Sequence, residues 1–153
     1  MTIEPAKLED MEGISRLYKA LNTDMSRLQP EMFRPAGEDG GFIRSVLESE
    51  RDDLLLARED GRVLGLALVQ DKDTPPYPAF IQRRYTYLMD LVVDPECRRQ
   101  GVGRALMGAV KEWAKSRNAE FIDLGVLAQN EGAIRLYENL GFRDSRKIMQ
   151  MDL

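Results

Sequence analysis

At 153 residues with 43% hydrophobic content, the chain has the size of one compact domain able to bury a core and a ligand cleft, so a single domain over residues 1–153 is expected. Its 22 Lys plus Arg against 26 Asp plus Glu give a formal charge of -4, which leaves no global positive field for nucleic acid or an anionic membrane surface. Histidine is absent and Cys97 is the one cysteine; this excludes Ser-His and Cys-His nucleophilic schemes, removes the commonest metal ligand and an internal disulfide, and leaves no metal site expected.

The start, "MTIEPAKLEDMEG", carries acids where a signal peptide would have an apolar run, and no stretch approaches the roughly 20 apolar residues of a membrane helix. A soluble protein is expected, and a thiol-poor chain suits the reducing cytoplasm. "TIEPA" reads as a short strand. Met11, Ile14, Leu17, Tyr18 and Leu21 then recur at helical spacing, predicting a helix from about Glu9 to Asp24. Residues 25 to 40 hold two prolines and two glycines without periodicity and read as irregular surface or a substrate wall, after which Phe42, Ile43, Val46 and Leu47 mark a short helix.

"DLLLARED" and "RVLGLALVQ" read as an antiparallel hairpin turned at Asp60-Gly61, because both central residues of a type I′ turn need positive φ. The proline-rich stretch from 72 to 84 is a loop, since proline cannot donate into a sheet ladder. "YTYLMDLVV" is aromatic and β-branched, apolar on both faces toward its end, and predicts a central strand. Val102, Leu106, Ala109, Val110 and Trp113 form the stripe of an amphipathic helix from 101 to about 117, with Glu112 and Lys115 on its solvated face. "EFIDLGVLA" is the next strand and "NEGAIRLYENLGF" the next helix, with Asn130 as N-cap and Gly141 at C′. "RKIMQMDL" alternates and predicts a closing strand. The order β-α-α-β-β-β-α-β-α-β gives an antiparallel opening half followed by a parallel strand-helix-strand crossover, a mixed sheet flanked by helices.

Between strand and helix lies "DPECRRQGVGRALM". A helix N-terminus offers free N–H groups and the positive end of the macrodipole, which suit a phosphate. Gly101 and Gly103 allow a tight bend and close approach, and Arg98, Arg99 and Arg104 add charge. The same segment also fits a plain strand-to-helix turn with solvated arginines, and taken alone it leaves both readings open. The Rossmann G-x-G-x-x-G is absent because position 106 is Leu, and no G-x-x-x-x-G-K-[ST] occurs.

"VVDPECRRQGVGRALM" resembles the acetyl-CoA signature of the GNAT N-acetyltransferase superfamily, Arg/Gln-x-x-Gly-x-Gly/Ala, here Arg98-x-x-Gly101-x-Gly103. "NEGAIRLYENLGF" is similar to that family's second segment, matched at Asn130, Ala133, Tyr137, Glu138, Gly141 and Phe142. The two lie in the family's order, and the resemblance is tight from about 85 to 143. It implies an α/β fold of the α+β type: a mixed, mostly antiparallel sheet of six to seven strands, flanked by about four helices, with a V-shaped splay of two central strands. It implies acetyl-CoA as co-substrate, with the backbone of Leu91, Val92 and Val93 along the pantetheine arm. The run Arg98, Arg99, Gln100, Gly101, Val102, Gly103 and Arg104 would lie at the pyrophosphate, with Asn130 and Ala133 against the cofactor. Tyr137 matches the usual general acid; without the motif it reads as a core aromatic.

The resemblance leaves the base unassigned. Relatives often carry a carboxylate where this chain has Met89, and strict alternation would face Asp90 away from Tyr87 and Met89, as a structural residue. A water relay, a carboxylate from 25 to 40, or an amine arriving neutral would each serve. Cys97 is expected as a partly exposed bystander, and Tyr77 with its prolines either lines an acceptor cleft or stiffens a loop. The leading expectation is acetyl transfer to a small-molecule or peptide amine, with no nucleic-acid or membrane partner. The alternatives are a non-catalytic acyl-CoA binding or regulatory module and an unrelated phosphate-ligand binder. A homodimer is one option that the resemblance allows.

Overall fold

The computed structural model describes residues 1–153. Five strands and four helices follow one another as β1 (Thr2–Pro5), α1 (Met11–Leu28), α2 (Gly40–Glu48), β2 (Asp52–Glu59), β3 (Arg62–Asp73), β4 (Arg84–Val93), α3 (Val102–Ser116), β5 (Ile122–Leu124) and α4 (Glu131–Asn139), with 3-10 turns at Leu8–Asp10 and Pro95–Cys97. The strands form one sheet in chain order, antiparallel from β1 to β4 and parallel between β4 and β5. The β2–β3 turn has positive φ at both Asp60 and Gly61, as its sequence requires.

Both faces of the sheet are covered, which is why β2 and β3 read as nearly continuous apolar runs. On one face Ile14, Leu17 and Tyr18 of α1 and Ile43 and Val46 of α2 pack on Leu54, Leu56, Leu66 and Leu68. On the other, Val102, Leu106 and Val110 of α3 and Tyr137 of α4 pack on Leu55, Ala57, Ala67, Val69 and Leu88. Each such fully buried leucine or isoleucine contributes about 1.5–3 kcal/mol. Gly65 sets how closely α3 lies on the sheet: a Cβ there would stand 2.8 Å from the Val92 carbonyl and 3.0 Å from Leu106 Cδ1.

Four expectations are corrected. The first helix runs on to Leu28, past Leu21, the last of its residues packed on the core, because each residue added to a formed helix gains a backbone bond without a new nucleus. The strand expected from "EFIDLGVLA" shrinks to Ile122–Leu124. The sheet has five strands, not six to seven. "RKIMQMDL" is not a strand; residues 143–153 take no regular structure and make no backbone hydrogen bond. Alternation alone does not make a strand, since its stability lies in pairing with a neighbour.

The shortness of β5 has a local cause that positions the site. Pairing of β3 with β4 runs Leu68↔Asp90 and then Val69↔Leu88, so Met89 is an extra, bulged residue on β4. A bulge bends and twists its strand. Pairing of β4 with β5 stops at Leu88↔Leu124, immediately before it. From Met89 to Val93 the β5-facing edge of β4 is unpaired, which opens the splay.

Candidate functional site

The loop leaving β4 is pinned before it reaches α3. Asp94, 2% exposed, accepts from the Glu96 amide at 2.9 Å and from Arg62 at 2.8 Å, and it also pairs with Arg16 of α1. Burial opposes its charge, but the Glu96 amide and the two guanidiniums outweigh that and hold its carboxyl below the usual aspartate range. Arg98 donates from Nε to the Val93 carbonyl at 3.4 Å and pairs with Asp24 of α1. Its charge is therefore already engaged, and it differs in this from Arg99 and Arg104, which have no acidic partner.

Between these anchors the backbone presents donors. Arg99 and Gly101 both have positive φ, 62° and 83°, a conformation Gly101 adopts without steric cost. None of the N–H groups from Arg98 to Gly101 has a backbone acceptor. Val102, Gly103 and Arg104 form the first turn of α3, whose first intrahelical bond is Ala105 N to the Gly101 carbonyl at 3.0 Å. Gln100 and Gly101 are exposed, while the Val102 side chain is buried in the core, so Val102 has only its amide to offer. At Gly103 a Cβ would meet Leu136 and Val93 at an ordinary 3.6 Å; conformational necessity therefore rests on Gly101. A run of unpaired amides at a helix mouth, with Arg99 and Arg104 beside it and the nearby Asp24 neutralised by Arg98, suits a pyrophosphate.

The unpaired edge of β4 adjoins this mouth. Leu91 and Val93 are half-buried against the α3 face, and Val92 is buried against the α1 face. Their side chains belong to the two cores, and the open edge is backbone. Across the splay, Asn130 caps α4 by accepting from the Ala133 amide at 3.2 Å. Ala133 packs half-buried on the α3-side core. Tyr137, 9% exposed, packs edge-on against Phe142 with centroids 5.7 Å apart, and its hydroxyl makes no hydrogen bond within the chain. Burial first, and then the charge of Asp90, push the phenol up to about 12.

Asp90 is where alternation misleads. The Met89 bulge resets the strand: Leu88 faces the α3-side core, whereas Asp90 meets Tyr18 on the α1 side, as Val92 does. Tyr18 Oη donates to Asp90 Oδ2 at 2.9 Å. Burial is the main influence raising the Asp90 carboxyl pKa, the Tyr18 bond lowers it, and the charge of Glu38 raises it further. The Tyr18 phenol is itself driven far up by burial and by Asp90. The charge of Asp90 in turn is felt by the Tyr137 phenol. Neither Tyr18, which at sequence level is one apolar position in a helical stripe, nor Glu38, in an aperiodic stretch, carries a motif. Met89 itself is 41% exposed.

Two other candidates stand apart from this centre. Cys97 is not partly exposed but 9% exposed in the α3-side core, because the 3-10 turn directs it inward. Tyr77 is 64% exposed on the β3–β4 loop. The Glu112 and Lys115 side chains are exposed and paired at 3.2 Å. No helix is long and apolar enough to cross a membrane, and no group of three or more His, Cys, Asp or Glu is placed to hold a metal ion.

Against known proteins, the model of the Acetyltransferase (GNAT) family matches residues 14–142. An uncharacterized N-acetyltransferase of Archaeoglobus fulgidus is 25% identical over 143 residues, 94% of this chain and 93% of that one. Other curated relatives match over a shorter stretch, so that the chain spans between 36% and 46% of their length. Among solved structures, a Bacillus halodurans protein crystallised as a point mutant superposes with a TM-score of 0.95 at 25% identity, covering 100% of this chain and 99% of that one. An aminoglycoside N-acetyltransferase in complex with CoA shares the fold with a TM-score of 0.77 at 16% identity, over 99% and 98% of the two chains.

Proposed function

The chain belongs to the GNAT family of acetyltransferases, and from that premise we propose that it moves an acetyl group from acetyl-CoA directly to a primary amine of an acceptor molecule. The observation that carries the reading is the convergence on one strand splay of acceptor-free amides at the α3 mouth, the Tyr137 hydroxyl and the Asp90 carboxylate. When bound, acetyl-CoA supplies an activated thioester open to attack by an amine.

The chain's own residues divide the remaining work. The amides from Arg98 to Arg104 hold the pyrophosphate, with Arg99 and Arg104 adding positive charge, and Gln100 and Gly101 keep that surface free of obstruction. The open backbone edge from Leu91 to Val93 aligns the pantetheine arm and turns an N–H toward the developing oxyanion. Asn130 and Ala133 border the arm from α4. Tyr137 keeps its proton at any ordinary pH and offers it to the departing sulfur. Asp90 takes the proton of the incoming ammonium or amine, directly or through one water, and Tyr18 positions it. Holding both partners in one geometry supplies much of the rate, since attack then becomes effectively unimolecular. A non-catalytic acyl-CoA module would need neither a half-buried carboxylate nor a second tyrosine to orient it, so it is not favoured.

Purified protein, acetyl-CoA and a panel of polyamines, aminoglycosides and peptides bearing free N-termini or lysines provide the test, with free thiol as readout. Acceptor-dependent thiol release is expected for one class. Binding of acetyl-CoA with no release across the panel would sink the enzymatic reading.

A further inference from the structure

The segment leading into α2 brings a second carboxylate near the Asp90–Tyr18 pair. Asp39 caps the helix by accepting from the Phe42 amide at 2.8 Å, and Phe42 meets the Tyr18 ring edge-on with centroids 6.1 Å apart. Tyr18 in turn donates to Asp90 at 2.9 Å. Glu38, the residue before the cap, is held close enough for its charge to reach both Tyr18 and Asp90. Burial raises the Asp90 carboxyl pKa, the Tyr18 bond lowers it, and the one further influence is the charge of Glu38, which raises it again. Glu38 is half-buried, accepts no hydrogen bond and pairs with no lysine or arginine.

Two half-buried carboxylates that repel each other without a counterion form an incomplete arrangement, since charges withdrawn from water are ordinarily paired. The chain's own cations do not complete it. Lys72 lies instead over the ring of Tyr87, with Nζ 5.6 Å from the centroid, and Arg146 is taken by Asp123 at 3.2 Å. Tyr87 stands on the same side of β4 as Asp90, across the Met89 bulge. Its hydroxyl makes no hydrogen bond within the chain and lies 4.0 Å from where a Cβ on Gly125 would stand. Burial first, then Asp90 and Asp123, push its phenol up. Tyr137 points to a bound molecule independently of the acids: it is 9% exposed, its hydroxyl has no partner within the chain, and it feels the Asp90 charge. A buried hydroxyl left without a partner is uncommon in a finished interior.

Resting on the acetyl-transfer reading, we propose that the acceptor is a diamine or polyamine and that Glu38 determines this choice. One nitrogen is acetylated beside Asp90, while a second, kept as an ammonium, is held by the Glu38 carboxylate. The two acids are suited to different tasks. Asp90 is already bonded by Tyr18 and exchanges a proton with the reacting amine, whereas Glu38 has both oxygens free for a permanent cationic partner. An ammonium on that carboxylate makes a charge-assisted hydrogen bond, stronger than a neutral one, and relieves the repulsion between Glu38 and Asp90. A monoamine acceptor would leave Glu38 unpaired.

The test compares diaminopropane, diaminobutane and diaminopentane with the amino alcohols of the same length, in which a neutral hydroxyl replaces the second ammonium. At the best-fitting length, kcat/KM for the diamine should exceed that for its amino alcohol by about 10–100-fold, the worth of a hydrogen bond to a charged group. In Glu38→Gln the two acceptors should come within about threefold of each other, and Glu38→Asp should keep part of the preference. Any change that the substitution makes to Asp90 acts on both acceptors alike and cancels in the ratio. Calorimetric titration of the same pairs onto protein saturated with CoA reads the preference without turnover. If no acceptor releases thiol, but diamines bind more tightly and lose that advantage in Glu38→Gln, the Glu38 site stands and the acetyl-transfer reading falls. A ratio near one in the parent protein by both measurements, or a preference that Glu38→Gln leaves intact, would overturn the proposal.

Discussion

Replacing Tyr137 by Phe separates catalysis from folding more cleanly than any other change in this chain. The ring is 9% exposed and packs on Phe142, but its hydroxyl has no hydrogen-bond partner within the chain. Removing that oxygen opens no sizeable cavity and orphans no donor or acceptor, so stability should change by less than about 1 kcal/mol. The chemistry should respond far more. Burial and Asp90 hold the phenol up at about 12, against about 8.5 for a free thiol, a gap worth about 5 kcal/mol for complete proton transfer. Tyr137 therefore acts by a hydrogen bond to charge developing on sulfur, and losing a proton donor of this type costs about 10²–10⁴-fold in rate. Steady-state thiol release at varied acetyl-CoA should show kcat reduced by at least about 100-fold with acetyl-CoA affinity held, while the melting temperature stays in place. Because the acid works in its protonated form, its activity is lost only as pH rises through about 12, so the parent enzyme should show no alkaline decline near pH 10 from this group. A kcat within twofold of the parent, or a decline centred at 10, would refute the assignment.

Asp90→Asn should lower kcat about 100-fold or more. In Tyr18→Phe the acid limb of the pH profile should move to higher pH, because the lost bond at 2.9 Å is what lowers the Asp90 carboxyl pKa; an unmoved limb would remove Asp90 from the base role. Gly65→Ala places a methyl 2.8 Å from the Val92 carbonyl and should cost about 1–3 kcal/mol in urea unfolding; a neutral result would show that α3 can lift off the sheet freely. The Arg84 bond first, along with other nearby guanidiniums, holds the Asp71 carboxyl below its usual range despite burial; Asp94 is held low by its amide and two arginines. Their contribution to stability is complete above the ordinary aspartate range and is lost as pH falls through their lowered values, so urea midpoints should drop steeply below about pH 4. In Asp94→Asn that drop should be shallower, with a lower midpoint at neutral pH.

The elements that sequence reading placed correctly are those whose signal is local. Val102, Leu106, Val110 and Trp113 define α3 by spacing, Asp60-Gly61 defines its turn by allowed φ, and Asn130 caps α4 by the bond its side chain makes. The amides at "RRQGVG" belong to the same class, because a helix start leaves its first N–H groups free whatever surrounds it. The misreadings are nonlocal. Alternation is a rule about a flat, continuous strand, and one bulged residue, Met89, inverts it for everything that follows. Strict alternation therefore sets Asp90 on the wrong face, and its contact with Tyr18, which lies 72 positions away in the chain, has no local signal.

The sequence by itself determined the apolar faces, the order of strands and helices as far as α4, and the run of free amides where α3 begins, since each follows from periodicity or from backbone chemistry within a few residues. Only the tertiary structure decided where β4 parts from β5, that Tyr18 holds the Asp90 carboxylate, and that the alternating arm at 146–153 pairs with no strand of its own chain. The physical reason is common to all three. Strand pairing and burial are properties of two surfaces meeting, and a one-dimensional pattern states what each surface prefers without stating which one it meets.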